Sequence, residues 1–265
     1  GNVVVDDSKR VRLQINANLY LLDGPTSWLS IDARVFQIRE GQARFGVPAG
    51  WTNPHTFIQG VIGNLRTGNG TAGGESFDNL PTDQGAAVLE YSTSIGGNNI
   101  HNFALSKVRL QSANPLSNVR ATFRLFRWGT ANVEFNNTLA YRSAASGVGL
   151  LGTTTTPGEL ASIPFFAEPR SATTADMNTT QTDGTNLDSF PATGSPATSN
   201  PEKLNFFGAY LDINQTILRF PSTISTSTPD IPSSGGPLLS IRDLLVDHHQ
   251  CMVVELVEAG DPTVP

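Results

Sequence analysis

Between Val11 and Leu21 every second residue is apolar: Val11, Leu13, Ile15, Ala17, Leu19 and Leu21 alternate with Arg12, Gln14, Asn16, Asn18 and Tyr20. A two-residue period sends the two sets to opposite sides of an extended chain, so the segment predicts a strand with one buried face. The period returns in Val119, Ala121, Phe123 and Leu125, which alternate with Arg120, Thr122 and Arg124. Further strands are predicted over 28–42, 86–91, 102–111, 204–214 and 251–257, with Gly, Pro and Asn clusters between them, and 163–166 is an apolar segment between polar stretches. Strands at this spacing predict an all-β chain, a β-sandwich with long loops. Composition agrees: only 15% of the 265 residues are charged, and 25 glycines and 17 prolines accompany much Ser, Thr, Asn and Gln. Such residues favour turns and strand surfaces.

Residues 1–50 read as a hairpin or small sheet. A helix follows, because Asn53 is an N-cap type, Pro54 suits the first helical position, and Phe57, Ile58, Val61, Ile62 and Leu65 recur at helical spacing. Residues 66–85 are Gly-rich and polar and read as a linker loop. The predicted organisation is therefore a strand-rich N-terminal region over 1–65, the linker over 66–85, and the sandwich over 86–265. Within the last, Leu238, Leu239, Ile241, Leu244 and Leu245 behind Pro237 have the spacing of one short helix.

A net charge of −6 disfavours general nucleic-acid binding, which needs a positive field to displace counterions. No window of about 18 apolar residues is present, so no helical membrane insertion is expected. One cysteine, Cys251, permits no intrachain disulfide, and a core of this size needs none. Of the seventeen basic residues only Lys9, Lys107 and Lys203 are lysines, and the arginine forks of the rest suit fixed hydrogen bonds.

Several motifs match by letter and lack context. Gly68-x-Gly70-x-x-Gly73 and Gly147-x-Gly149-x-x-Gly152 do not run from a strand into a helix, as a dinucleotide site requires. Ser234-Gly235-Gly236-Pro237 echoes a serine-protease nucleophile segment but reads as a surface turn. Four Asn-x-Thr sites, at Asn69, Asn136, Asn178 and Asn214, are of the number that an Asn/Thr-rich chain yields by chance. A candidate metal set on one face of a strand is Asp247, His249 and Cys251, with Asp212 as a further ligand; the competing structural role pairs Asp212 with Arg219. Lys107, Arg109, Arg120, Arg124, Arg127 and Arg142 face a single acid, Glu134, within their stretch. They form either a surface for an acidic partner or a charged outer face paired with acids from elsewhere. Trp51 and Trp128, with Arg120 and Arg124, are the candidate ligand-binding residues, the tryptophans as a sugar-stacking platform or as core.

Three segments carry a resemblance: Ile163-Pro-Phe-Phe-Ala-Glu-Pro-Arg170, Phe206-Phe-Gly-Ala-Tyr-Leu-Asp-Ile-Asn-Gln215 followed by Arg219-Phe-Pro221, and His248-His-Gln-Cys-Met-Val-Val-Glu255. Together they resemble an uncharacterised module of large bacterial surface or assembly proteins. In such proteins the chain runs on past the last strand. The resemblance implies an Ig-like β-sandwich, extracellular or surface-associated, whose partners are other domains of a longer chain or copies of itself. The function expected is a non-enzymatic structural or interaction module with no cofactor. The alternatives are a carbohydrate-binding module with glycan partners and a virion or filament subunit.

Overall fold

A computed structural model describes residues 18–24, 30–68, 75–82, 89–111, 115–127, 140–143, 150–153, 160–168, 188–190, 203–214, 220–221, 238–245 and 250–257. In chain order the elements are β1 (Asn18–Tyr20), β2 (Ala33–Arg39), α1 (Pro54–Thr67), β3 (Ser94–Ile95), β4 (Asn98–Gln111), β5 (Leu116–Arg127), β6 (Ala140–Ser143), β7 (Leu150–Thr153), β8 (Leu160–Phe166), β9 (Asp188–Phe190), β10 (Lys203–Leu211), β11 (Phe220–Pro221), β12 (Leu238–Leu239), α2 (Ile241–Leu245) and β13 (Gln250–Val257), with a 3-10 turn at Phe77–Asn79. The fold is strand-dominated and, among the described residues, the strand pairs are antiparallel, the all-β class predicted.

Strand β4 organises the first sheet. Its Ala104 lies opposite Ala209 of β10 and opposite Val35 of β2, so those strands occupy its two edges. Leu110 likewise faces Lys203 of β10 and Leu19 of β1, which places β1 and β2 end to end on one edge. Of the hairpin or small sheet expected within residues 1–50, the described part is two strands that share a longer partner. Among the described residues between them, an isolated bridge joins Asp23 to Ser30. The segment read as an N-terminal region of its own shares its sheet with β4 and β10. In the second sheet β5 is central, with β13 on one edge and β8 on the other, since Thr122 faces both Glu255 and Phe166.

One core cluster joins the two sheets: Ala104, Val108, Leu110, Phe207, Ala209 and Leu211 from the first meet Val119, Ala121, Phe123, Leu125, Ile163 and Phe165 from the second. The predicted face Val119, Ala121, Phe123 and Leu125 is therefore the buried one. The opposite face of the first sheet is also covered, because Phe36, Ile38, Phe103 and Leu105 pack against Phe57, Ile58, Val61 and Ile62 of α1. Helix α1 forms as its sequence predicts. The Asn53 side chain accepts from His55 N at 2.9 Å and Thr56 N at 3.2 Å, and Pro54 opens the first turn; such a cap contributes about 1 kcal/mol.

The 66–85 stretch does more than link. Phe77 and Leu80 are buried in the helix-side cluster, Lys107 Nζ lies 4.9 Å from the Phe77 ring centroid, and Asp78 accepts a hydrogen bond from the same ammonium. Glu75 accepts from Phe45 N at 2.8 Å. That contact pins a tight turn, Arg44–Val47, in which Phe45 (φ 49°) and Gly46 (φ 76°) both have left-handed backbone, costly for phenylalanine. Of the other predicted elements, 89–92 carries no strand, Leu238 and Leu239 pair with Pro221 and Phe220, and the short helix is Ile241–Leu245. Residues 11–17 and 86–88 lie outside the described residues.

Parts of the outer edges of the first sheet are capped by groups that are not strands. Carbonyls of Ala33 and Gln37 on β2 accept from Arg34 Nη1 (3.0 Å) and Arg44 Nη1 (3.4 Å). On β10, Phe206 O accepts from Arg66 Nε (3.1 Å) and Nη2 (2.5 Å), and Gly208 O accepts from Glu168 N (2.8 Å). Carbonyls occupied in this way make those stretches of edge poorer templates for a foreign strand.

Two expectations follow from this packing. Gly208 lies where α1 crosses β10, and a Cβ there would stand 2.8 Å from Leu105 Cδ2 and 3.1 Å from Ile58 Cδ1. Gly208→Ala should lower the stability read from a urea midpoint by about 1–3 kcal/mol through overpacking. Asn214 is fully buried and its Nδ2 donates to Ser92 O (3.0 Å) and Ile100 O (2.8 Å). Expressed through a eukaryotic secretory route, the chain should therefore give an unmodified Asn214 peptide in mass spectrometry. Asn214→Ala, which orphans both carbonyls, should cost about 1–3 kcal/mol.

Candidate functional site

Several described ionisable side chains converge at the amino end of α1. The Asn53 cap and Pro54 set His55 in the first turn, beside the carboxyl end of β10. His55 Nδ1 is bonded to Glu168 Oε1, and Gln59, one helical turn further, donates from Nε2 to Glu168 Oε2 at 3.2 Å. The His55 side chain is 55% exposed and that of Glu168 only 6%. The Tyr210 ring stands edge-on to His55 at 5.2 Å and lies 5.7 Å from His101, with the Tyr210 hydroxyl 3.5 Å from His101 Nδ1. On its other side His101 Nε2 is 3.0 Å from Glu40 Oε2. Two imidazole–carboxylate pairs thus flank one tyrosine.

Electrostatics follow from these contacts. The hydrogen bond to Glu168 pushes the His55 imidazolium above the ordinary histidine value against the opposing effect of burial, and the charges of Glu168 and Asp212 add to the rise. Glu40 is held below the usual carboxylate range, first by the Asn99 side-chain amide and then by His101. Chemically, His55 is a positioned imidazole: one nitrogen is fixed by a buried carboxylate, and the ring is open enough to exchange a proton with solvent. Among the described residues no three His, Cys, Asp or Glu side chains gather as a metal-ion site.

The residues singled out from sequence are dispersed. Trp51 is half-buried, stacks on Phe57 at 4.3 Å and donates from Nε1 to Gln42 O at 2.7 Å, so it packs over the helix-side core. Arg124 departs from the expected ligand-facing strand surface. It is 1% exposed and paired with Glu255 across β5 and β13. The other cations of its stretch that are described also meet acids from distant segments, Lys107 with Asp78 and Arg109 with Asp32. Arg120 is in β5 opposite Val257 and Cys251 is in β13 opposite Phe126. Trp128, Asp247, His249 and Arg219 lie outside the described residues. Gly68 follows the last turn of α1 rather than preceding a helix, which is the wrong end for a phosphate loop.

Sequence reasoning passed over His55, His101, Glu40 and Tyr210, because their partners are far away in the chain. The available signals were weak ones. Glu168 and Tyr210 belong to the segments 163–170 and 206–215, and His55 follows the Asn53-Pro54 cap.

Arg124 and Glu255 give a two-part expectation. Arg124→Ala strands a mostly buried carboxylate and should cost about 3–5 kcal/mol in a urea titration, whereas Arg124→Met with Glu255→Leu, which replaces the pair by apolar volume, should be near neutral. No known protein family, curated protein or solved structure matches the chain.

Proposed function

We propose that the chain is an Ig-like β-sandwich module serving as a structural or interaction unit of a larger extracellular or particle-forming assembly, without catalytic turnover. The observation that carries this reading is how the described buried ionisable groups are used. Asp32 with Arg109, Arg124 with Glu255, Lys107 with Asp78, Glu168 with His55 and His101 with Glu40 each join separate parts of the chain. Asp32, 1% exposed, illustrates the role: its carboxylate accepts from Arg109 Nε (2.6 Å) and Nη2 (3.0 Å) and from Leu22 N (2.7 Å). Pairs arranged in this way tie separated segments together and leave a heavy cost for losing either partner.

Two further features support the same function. Antiparallel sheets facing one another through a single core are the architecture that an Ig-like module requires. The capped stretches of edge in the first sheet suit a unit that sits beside many neighbours, since they direct association to loops and faces rather than to uncontrolled strand addition.

The test pairs an activity screen with hydrodynamics on the 265-residue chain. Esterase, glycosidase and phosphatase substrates should show no turnover above buffer, and sedimentation velocity should show reversible self-association or binding to an adjoining domain at about micromolar to sub-millimolar concentration. Turnover that disappears in His55→Ala or Glu168→Gln would overturn the proposal. So would a strict monomer that binds neither a copy nor a neighbouring domain.

A further inference from the structure

The end of β8 is tied to both sheets. Ala167 N donates to Ala121 O of β5 at 3.2 Å, and the next residue, Glu168, donates from its backbone N to Gly208 O of β10 at 2.8 Å. The Glu168 carboxylate therefore sits at a fixed point of the two-sheet core, mostly out of water. It receives two side chains from α1, Gln59 and His55. Of these only His55 can carry positive charge, and a buried carboxylate without a cation is costly.

We propose that His55 and Glu168 form a proton-operated fastener: protonated His55 holds the first turn of α1 against the two-sheet core, and deprotonation as pH rises releases that turn. Among the described residues, the charged and titratable groups around His55 come from three strands and the turn after β2. From β8 comes Glu168, from the end of β10 come Tyr210 and Asp212, and beyond Tyr210 stand His101 of β4 and its partner Glu40. From its own helix come Gln59 and the amides of the first turn. Glu168 and Asp212 favour the imidazolium, while burial and the positive end of the helix oppose it. The carboxylates prevail, so the proton is held more tightly folded than unfolded. The contribution is then complete below the ordinary histidine value of about 6.5 and disappears as pH climbs through the raised folded value.

Release is local by construction. Phe57, Ile58, Val61 and Ile62 keep the body of α1 buried, whereas His55 and its neighbour Thr56 face outward. The amides of His55, Thr56 and Phe57 all bond to Asn53, so they report directly on whether the turn is closed.

The experiment follows the His55 ring by proton–carbon NMR, together with exchange of those three amides, in the full chain across mildly acidic to alkaline pH. His55 should titrate above the ordinary histidine midpoint, and Glu168→Gln should lower that midpoint by about one unit, a tenfold loss of proton affinity. Opening of the turn, corrected for intrinsic exchange, should rise about tenfold across the wild-type midpoint and stay flat in Glu168→Gln. If that variant does not fold, His55→Gln takes its place, and the three amides should then exchange with no pH step beyond the intrinsic one. A His55 midpoint at or below the ordinary value overturns the proposal. So does an opening constant that does not change across the midpoint in the wild-type chain.

Discussion

Burial of β4 on both faces is the constraint from which the remaining structure follows. Its even-numbered side chains from Ala104 to Leu110 enter the core between the sheets, and Phe103 and Leu105 enter the core under α1. Both edges are paired as well. A strand enclosed in this way has no solvent to satisfy its polar groups, so partners must come from within the protein; its buried polar side chains find them except Ser106, whose Oγ has no hydrogen-bond partner among the described residues. Asn102 exchanges hydrogen bonds with the backbone of Glu90, donating to its O and accepting from its N. His101 reaches Glu40 and Tyr210, Lys107 reaches Asp78 over the Phe77 ring, and Arg109 forks onto Asp32. The docked segment 75–80, the Glu40 turn and the Asp32 corner are the suppliers of these partners, and their positions are set by what β4 needs.

The same constraint explains what could be read from the chain and what could not. A strand buried on one face announces itself by alternation, which is why Val119 to Leu125 was legible. Helix α1 was legible because a cap, a proline and an apolar stripe are local signals that agree. Strand β4 was legible over 102–111 but begins four residues earlier, at Asn98, and its two-sided burial was not legible, since Asn102 and Ser106 interrupt one face with polar residues and Lys107 the other. Arg124 misled for the same reason: its alternate position predicts solvent, while its partner Glu255 is supplied by a strand 131 residues away. In the 66–85 stretch the abundant glycine masked Glu75, Phe77, Asp78 and Leu80, whose two acids and two apolar residues are what dock it.

The candidate site was the least legible part. The pairing of His55 with Glu168 spans 113 residues, and that of His101 with Glu40 spans 61. No spacing rule connects residues at such distances: the register of β4 against β2 brings His101 to Glu40, and the packing of α1 on β10, with the anchoring of Glu168 N on Gly208 O, brings His55 to Glu168. Motif searching is also biased toward adjacent residues, so it favoured His248-His249 over two isolated histidines.

The preponderance of arginine over lysine gains a physical sense here. Arg34, Arg44 and Arg66 each place guanidinium N–H groups on backbone carbonyls at sheet edges, and the aromatic rings of Phe77, Phe36 and Phe207 lie 5.2, 4.9 and 5.7 Å from their respective guanidinium carbons. A lysine could neutralise charge at these positions but could not combine a fork of donors with a flat face for stacking. Burial pushes the Arg34 guanidinium below its ordinary value, against the opposing charges of Asp32 and Asp78. Closing a sheet edge with a cation therefore requires acids nearby, and the acids of β4's surroundings meet both demands. Edge protection, strand satisfaction and layer bracing are in this fold one network of paired charges, which accounts for a chain with few charged residues placing so many of them where water is scarce.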